Sequence, residues 1–174
     1  MLSYVGRVGV SGVDQRFDLL RVGLSASYGP YLQGDATGVA PSARTDVHQV
    51  VVGTDVSLEW QRLRIYLEAI RNWWQAPHVE EGALGVWGGY AETQVDLFDW
   101  WYLGLRYGLL HFDSIDVNGS LRPWDYHVHR FEPALGFQLT PGTRIKLVTQ
   151  ISLRSGPSDD ASDFLFAGQL ALAL

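Results

Sequence analysis

His127 and His129 stand two residues apart, so in an extended chain they share a face at a spacing compatible with a pair of metal ligands. The sequence offers no obvious third ligand, and a solvated or interfacial pair is the favoured expectation. Asp159, Asp160 and Asp163 could together attract calcium. Their loop is short and has no bidentate glutamate at the required offset, so it reads as a solvated acidic loop. Asn118-Gly119-Ser120 matches a glycosylation sequon and reads equally well as a tight turn. Serine, histidine and aspartate are plentiful, yet no G-x-S-x-G elbow occurs. A hydrolase would have to gather them near Asp46, Asp113 and His127. Cysteine is absent, which removes thiol catalysis, disulfides and zinc-thiolate sites. No cofactor is expected, and no catalytic residue is assigned.

The better candidates are charges that recur on one side of an alternating pattern. Arg7, Arg21, Arg106, Arg130 and Lys146 fall there, together with Glu68, Glu92 and Glu132. On the wall of a water-filled pore such groups set ion preference through the local field. They could equally pair across neighbouring strands and do no more than satisfy one another. With 13 basic residues, 19 acidic ones and a net charge of −6, a nucleic-acid partner has no electrostatic support.

The elements that carry these charges are clearest between Asp125 and Arg154. Phe131, Pro133, Leu135, Phe137 and Leu139 alternate with Arg130, Glu132, Ala134, Gly136 and Gln138. After a turn at Thr140-Pro141-Gly142-Thr143, Ile145, Leu147, Thr149, Ile151 and Leu153 alternate with Arg144, Lys146, Val148, Gln150 and Ser152. Each arm has a greasy side and a wet side, for longer than the roughly five or six residues of an average globular strand and in the range of the roughly nine to eleven that cross a membrane as a strand. The same period predicts strands over Leu2–Val10, Phe17–Gly29, Val47–Trp60, Leu63–Trp74, Leu84–Leu97, Trp101–Phe112 and Phe164–Leu174. Arg71 interrupts the apolar side of its strand. Ser11 to Gln15 reads as a turn, and Gly29 to Asp46, Ala76 to Gly82, Asp113 to Asp125 and Gly156 to Ser162 read as loops.

The expectation is therefore all-β: an antiparallel up-and-down meander of about nine long strands, forming part or all of a transmembrane β-barrel in a single domain over residues 1–174. Short turns alternate with longer loops, as the periplasmic turns and outer loops of such barrels do. No apolar run approaches the roughly eighteen residues of a transmembrane helix. The start, MLSYVGRVGVSG, lacks the basic and apolar regions of a leader peptide.

Alternation alone does not separate a membrane barrel from a soluble sandwich. Tryptophan placement favours the membrane. Trp60, Trp100 and Trp101 lie at the short-turn end, while Trp73, Trp74, Trp87 and Trp124 lie at the long-loop end. Two aromatic girdles at the two interfaces would give this distribution. The wet side also carries Gly23, Gly53, Gly88, Gly104 and Gly136, small residues that suit the wall of a hydrated lumen.

On these residues the chain resembles Gram-negative outer-membrane porins, and specifically the carboxy-terminal part of one. The resemblance is carried by Trp101-Tyr-Leu-Gly-Leu-Arg-Tyr107, Trp124-Asp-Tyr126 leading into Arg130-Phe-Glu132, Leu135-Gly-Phe137, Ile145-Lys-Leu-Val-Thr-Gln150 and the ending Phe166-Ala-Gly-Gln-Leu-Ala-Leu-Ala-Leu174. It implies an outer-membrane location and passive diffusion of small hydrophilic solutes or ions without a catalytic step. It also implies contact with outer-membrane lipid, delivery by the barrel-assembly machinery through the last strand, and compatibility with a homo-oligomer. Such last strands usually finish on an aromatic residue, and this one finishes on Leu174. An odd strand number implies the carboxy-terminal portion of a larger barrel. The competing expectations are a small barrel with enzymatic or adhesive outer loops and a soluble β-rich binding domain.

Overall fold

The computed structural model describes residues 3–14, 17–30, 47–76, 82–156 and 160–172. Alternating side chains bias these segments to extended backbone, and β-branched and aromatic residues reinforce it. Eleven strands result: β1 (Tyr4–Asp14), β2 (Phe17–Pro30), β3 (His48–Trp60), β4 (Leu63–Gln75), β5 (Ala83–Phe98), β6 (Trp101–Phe112), β7 (Ser114–Val117), β8 (Ser120–Pro123), β9 (His127–Thr140), β10 (Thr143–Ser155) and β11 (Ala161–Leu172). Nine of them form one antiparallel sheet in the order β1-β2-β3-β4-β5-β6-β9-β10-β11, and every neighbour in that sheet follows its predecessor up and down. The sheet is not closed. β1 and β11 each keep one unpaired edge among the described residues.

Within the main sheet, two-residue connections follow β3, β5 and β9, whereas those from β4 to β5, from β6 to β9 and from β10 to β11 are longer. Gln61 takes a positive φ of 52° in the first of these tight turns. The loops expected over Gly29 to Asp46 and Ala76 to Gly82 fall largely outside the described residues. The Ala76 amide does donate to the Gly82 carbonyl at 3.0 Å, which closes the latter segment at its base.

Two expectations are corrected. β1 runs on to Asp14 through an irregularity in register between Gly12 and Asp14, so the turn begins later than Ser11. Asp113 to Asp125 is not a plain loop but carries the β7–β8 hairpin, which pairs Ser114 with Pro123 and Val117 with Ser120. Its turn is Asn118-Gly119, with φ of 57° and 81°, and Asp116 accepts the Gly119 amide. That left-handed pair is what a type I′ hairpin turn demands, and Asn-Gly is the pair that adopts it at least cost.

The register decides what shares a face. One row reads Gly9, Gly23, Asp55, Glu68, Tyr90, Gly108, Arg130 across successive strands, and the next places Glu92, Arg106 and Glu132 side by side. The opposite face carries Val8, Leu24, Leu67, Leu105, Phe131 and Phe164. The apolar side chains do not converge on a dry centre. Among the described residues the buried apolar ones are Val47 and Ala76, and no large side chain is fully enclosed. Thirty-two large apolar residues among those described are exposed, most of them on the greasy face of this single layer.

Candidate functional site

All eight charged residues singled out from the sequence lie on the polar face, and they divide into two groups. Arg7 reaches across β2 to Asp55 at 2.9 Å. Arg106 lies between Glu92 and Glu132, 3.9 Å from each, with its guanidinium 4.0 Å above the Tyr90 ring. For Arg7, Arg106, Glu92 and Glu132, cross-strand pairing is therefore the observed role. Arg21, Arg130, Lys146 and Glu68 make no ion pair among the described residues, and Glu68 hydrogen-bonds the Tyr90 hydroxyl. Sequence reasoning missed Asp55, Arg64, Asp96 and Asp163 as partners. Arg64 pairs with Asp96, and Arg154 with Asp163. Register carries that information, and one strand read alone does not.

The glycines of the polar face make room for neighbours. A Cβ on Gly23 would lie 2.5 Å from an Asp55 carboxylate oxygen, the group that Arg7 grips. A Cβ on Gly136 would collide with the Tyr102 ring, and one on Gly53 would come within 2.9 Å of the Ser25 hydroxyl. Gly108 is different, because its nearest neighbours leave ordinary contact distances of 3.8 and 4.0 Å.

The seven tryptophans sit at the strand ends but not all on one side. Trp60, Trp73 and Trp101 alternate with the polar face, Trp87 opposes Arg71, and Trp100 occupies a turn. At the short-turn end, a bulge between Asp96 and Phe98 turns Phe98 toward Trp101. Phe98, Trp100, Trp101 and Phe137 then form an aromatic cluster with ring centroids 5.6 to 6.4 Å apart. Trp74 belongs to the polar face by alternation. It meets Trp124 edge to face at 5.4 Å, and Trp124 meets Phe112 likewise at 4.7 Å. The Trp124 indole N–H donates to the Gly85 carbonyl at 2.9 Å. These last two cap the polar face at the loop end rather than the greasy face.

Arg71, the residue that interrupts an apolar face, is buried and paired with Asp113 through both guanidinium nitrogens. Trp73 and Trp87 flank the guanidinium at 4.8 and 5.1 Å. The pair crosses above Gly85, where any side chain would strike both partners. Because Arg71 hydrogen-bonds it, the Asp113 carboxyl is held below the usual carboxylate range, against the opposing effect of desolvation.

His111 joins the expected His127 and His129 at the same end. His111 and His127 stack at 4.1 Å, the His127 Nδ1 accepts the Phe112 amide at 3.1 Å, and His129 Nδ1 shares a 2.7 Å hydrogen bond with the Tyr107 hydroxyl. No group of three or more His, Asp or Glu able to hold a metal occurs among the described residues. Asp160 is exposed, Asp163 is taken by Arg154, and Asp159 and Asp46 lie outside the described residues. Asp113 is engaged by Arg71.

Comparison with known proteins returns no match: no family model, curated protein or solved structure is similar to this chain. What stands is the class that the strands define, an all-β antiparallel meander with one apolar and one polar face.

Proposed function

We propose that this chain is the strand wall of an outer-membrane β-barrel pore. The greasy face meets lipid, and the polar face meets a water-filled path for small hydrophilic solutes or ions. The observation that carries the proposal is the missing dry centre. Full burial of one Val, Leu or Phe side chain is worth about 1.5–3 kcal/mol. Thirty-two exposed large apolar residues therefore leave tens of kcal/mol unrealised, on the order of several times the roughly 5–15 kcal/mol by which domains are stable. A single layer cannot supply that cover itself. A bilayer can, and strands of 11 to 16 residues in the main sheet are long enough to cross one. Exposed Trp60, Trp73 and Trp87 on that face would lie at headgroup depth.

Among the described residues Arg21, Arg130 and Lys146 have no carboxylate partner, while Arg7 and Arg106 do. The free cations support a mild preference for anions. Refolding into vesicles containing brominated lipid tests the orientation. Strong quenching of tryptophan emission is expected, and full solubility in buffer without detergent, with unquenched emission, refutes the pore and favours a soluble β-rich domain. Planar-bilayer recording in a salt gradient then reads conductance and the sign of the reversal potential.

A further inference from the structure

The polar face is not uniformly polar. Toward its long-loop half a groove of about 400 Å³ opens across β4, β5, β6 and β9. Two parallel rows line it. One row holds Glu68, Tyr90, Gly108 and Arg130, and the next holds Ile70, Gly88, Leu110 and Val128. Gly108 leaves its part of the floor open. Leu110 is 43% exposed, on the side where water is expected. An apolar shelf in such a place asks for an apolar partner.

The charges at the two ends of the first row are the unusual feature. Glu68 lies at the β4 end, where it accepts from the Tyr90 hydroxyl and keeps acceptor capacity for a cation, and Arg130 lies at the β9 end; neither forms an ion pair among the described residues. Arg106, between them, is already held by Glu92 and Glu132. Three strand spacings separate the Glu68 and Arg130 backbones, about 14 Å. Their side chains shorten that gap, and an extended chain covers at most about 3.3–3.6 Å per residue. Two or three residues fill what remains.

We propose that this groove binds short apolar peptides of two or three residues. The peptide carboxylate meets the Arg130 guanidinium, the ammonium meets Glu68, and an apolar side chain rests on Ile70, Leu110 and Val128. A free amino acid is too short to engage both ends, and an inorganic anion gains nothing from the shelf. The assignment rests on the pore proposal only in taking the polar face as wet, and it names a solute class for that face.

The test is equilibrium dialysis of the tripeptide Ala-Leu-Ala against the full chain in detergent micelles, with empty micelles subtracted. Four further probes are the N-acetylated peptide, the C-terminal amide, Gly-Gly-Gly and free leucine. Each blocked terminus is expected to weaken binding about tenfold, since a charge-assisted hydrogen bond is lost. Arg130→Gln should weaken the parent peptide by a similar factor and abolish discrimination against the amide. Glu68→Gln should abolish discrimination against the acetylated form. Gly108→Val should block the groove while keeping both charged groups, and Arg122→Gln, on the β7–β8 hairpin outside the groove, should change nothing. Equal binding of the free and blocked peptides, or of Gly-Gly-Gly and Ala-Leu-Ala, overturns the proposal, as does discrimination that survives Arg130→Gln and Glu68→Gln. Micelle binding and bilayer conductance are separate readouts, so this site and the pore can fail independently.

Discussion

Asp113→Asn removes the charge that faces the Arg71 guanidinium and leaves its shape nearly unchanged. Arg71 is 7% exposed, so its charge is largely withdrawn from water. Breaking a buried pair by deleting one partner costs about 3–5 kcal/mol, and a surface pair contributes about 0–1 kcal/mol. The Asp113 side chain is 39% exposed, which places this pair between those limits. Trp73 and Trp87 continue to hold the cation, and asparagine keeps one acceptor. The expected loss is about 2 kcal/mol, read as a lower urea midpoint for the chain folded in lipid vesicles. The pH dependence has a definite sign. A carboxyl whose pKa is lowered by folding contributes fully above its unfolded value of about 3.9, and the contribution disappears as pH falls through the lower folded value. Wild type should therefore lose stability on the acid limb, and Asp113→Asn should not show that component. Near neutral pH the difference between the two should be flat. An unchanged midpoint, or a full cost in Asp113→Asn that persists on an Arg71→Met background, would refute the pairing.

Other perturbations separate the remaining contacts. Gly85→Ala should destabilise as much as Asp113→Asn, because a Cβ there strikes both members of the pair, and the two changes should not add. Gly136→Val should prevent folding in wild type by meeting the Tyr102 ring, and Tyr102→Ala should rescue it in a urea titration. Gly119→Ala forces an L side chain to a φ of 81° and should cost about 1 kcal/mol, lost locally from the β7–β8 hairpin and visible in amide exchange there.

The strands were legible because their signal is local. Alternation over Leu63 to Trp74 or Trp101 to Phe112 needs no partner to be read, and the observed β4 and β6 coincide with those ranges to within one residue. The β7–β8 hairpin had its turn in view at Asn118-Gly119. Its arms are four residues each, too short for a periodic pattern to stand out. Which charges pair was not legible. Arg7 meets Asp55 across 48 positions of chain, and Arg71 meets Asp113 across 42. Only register brings such residues together, and register is a property of two strands at once. Arg71 shows the consequence most directly. Read along its own strand it breaks the pattern, and read across β5 it is the centre of an aromatic and ionic cluster.

The open edges constrain how such a sheet could close. In an up-and-down meander consecutive strands alternate in direction, so the first and ninth strands of this sheet, β1 and β11, run the same way. Joining them directly would require a parallel seam, whereas every other seam is antiparallel. Antiparallel closure needs an odd number of further strands between the two edges, and an even total follows, as in single-chain bacterial barrels. Both edges are ready for it. β1 and β11 keep the same alternation as the interior strands, with Val8 and Val10 on the greasy side of one and Phe164, Phe166 and Leu170 on that of the other. Arg7, Gly9 and Ser11 face the polar side on β1, and Asp163 and Gln169 do so on β11. Neither edge in its described residues carries the inward charges on the apolar face or the prolines that soluble sheets use to discourage pairing.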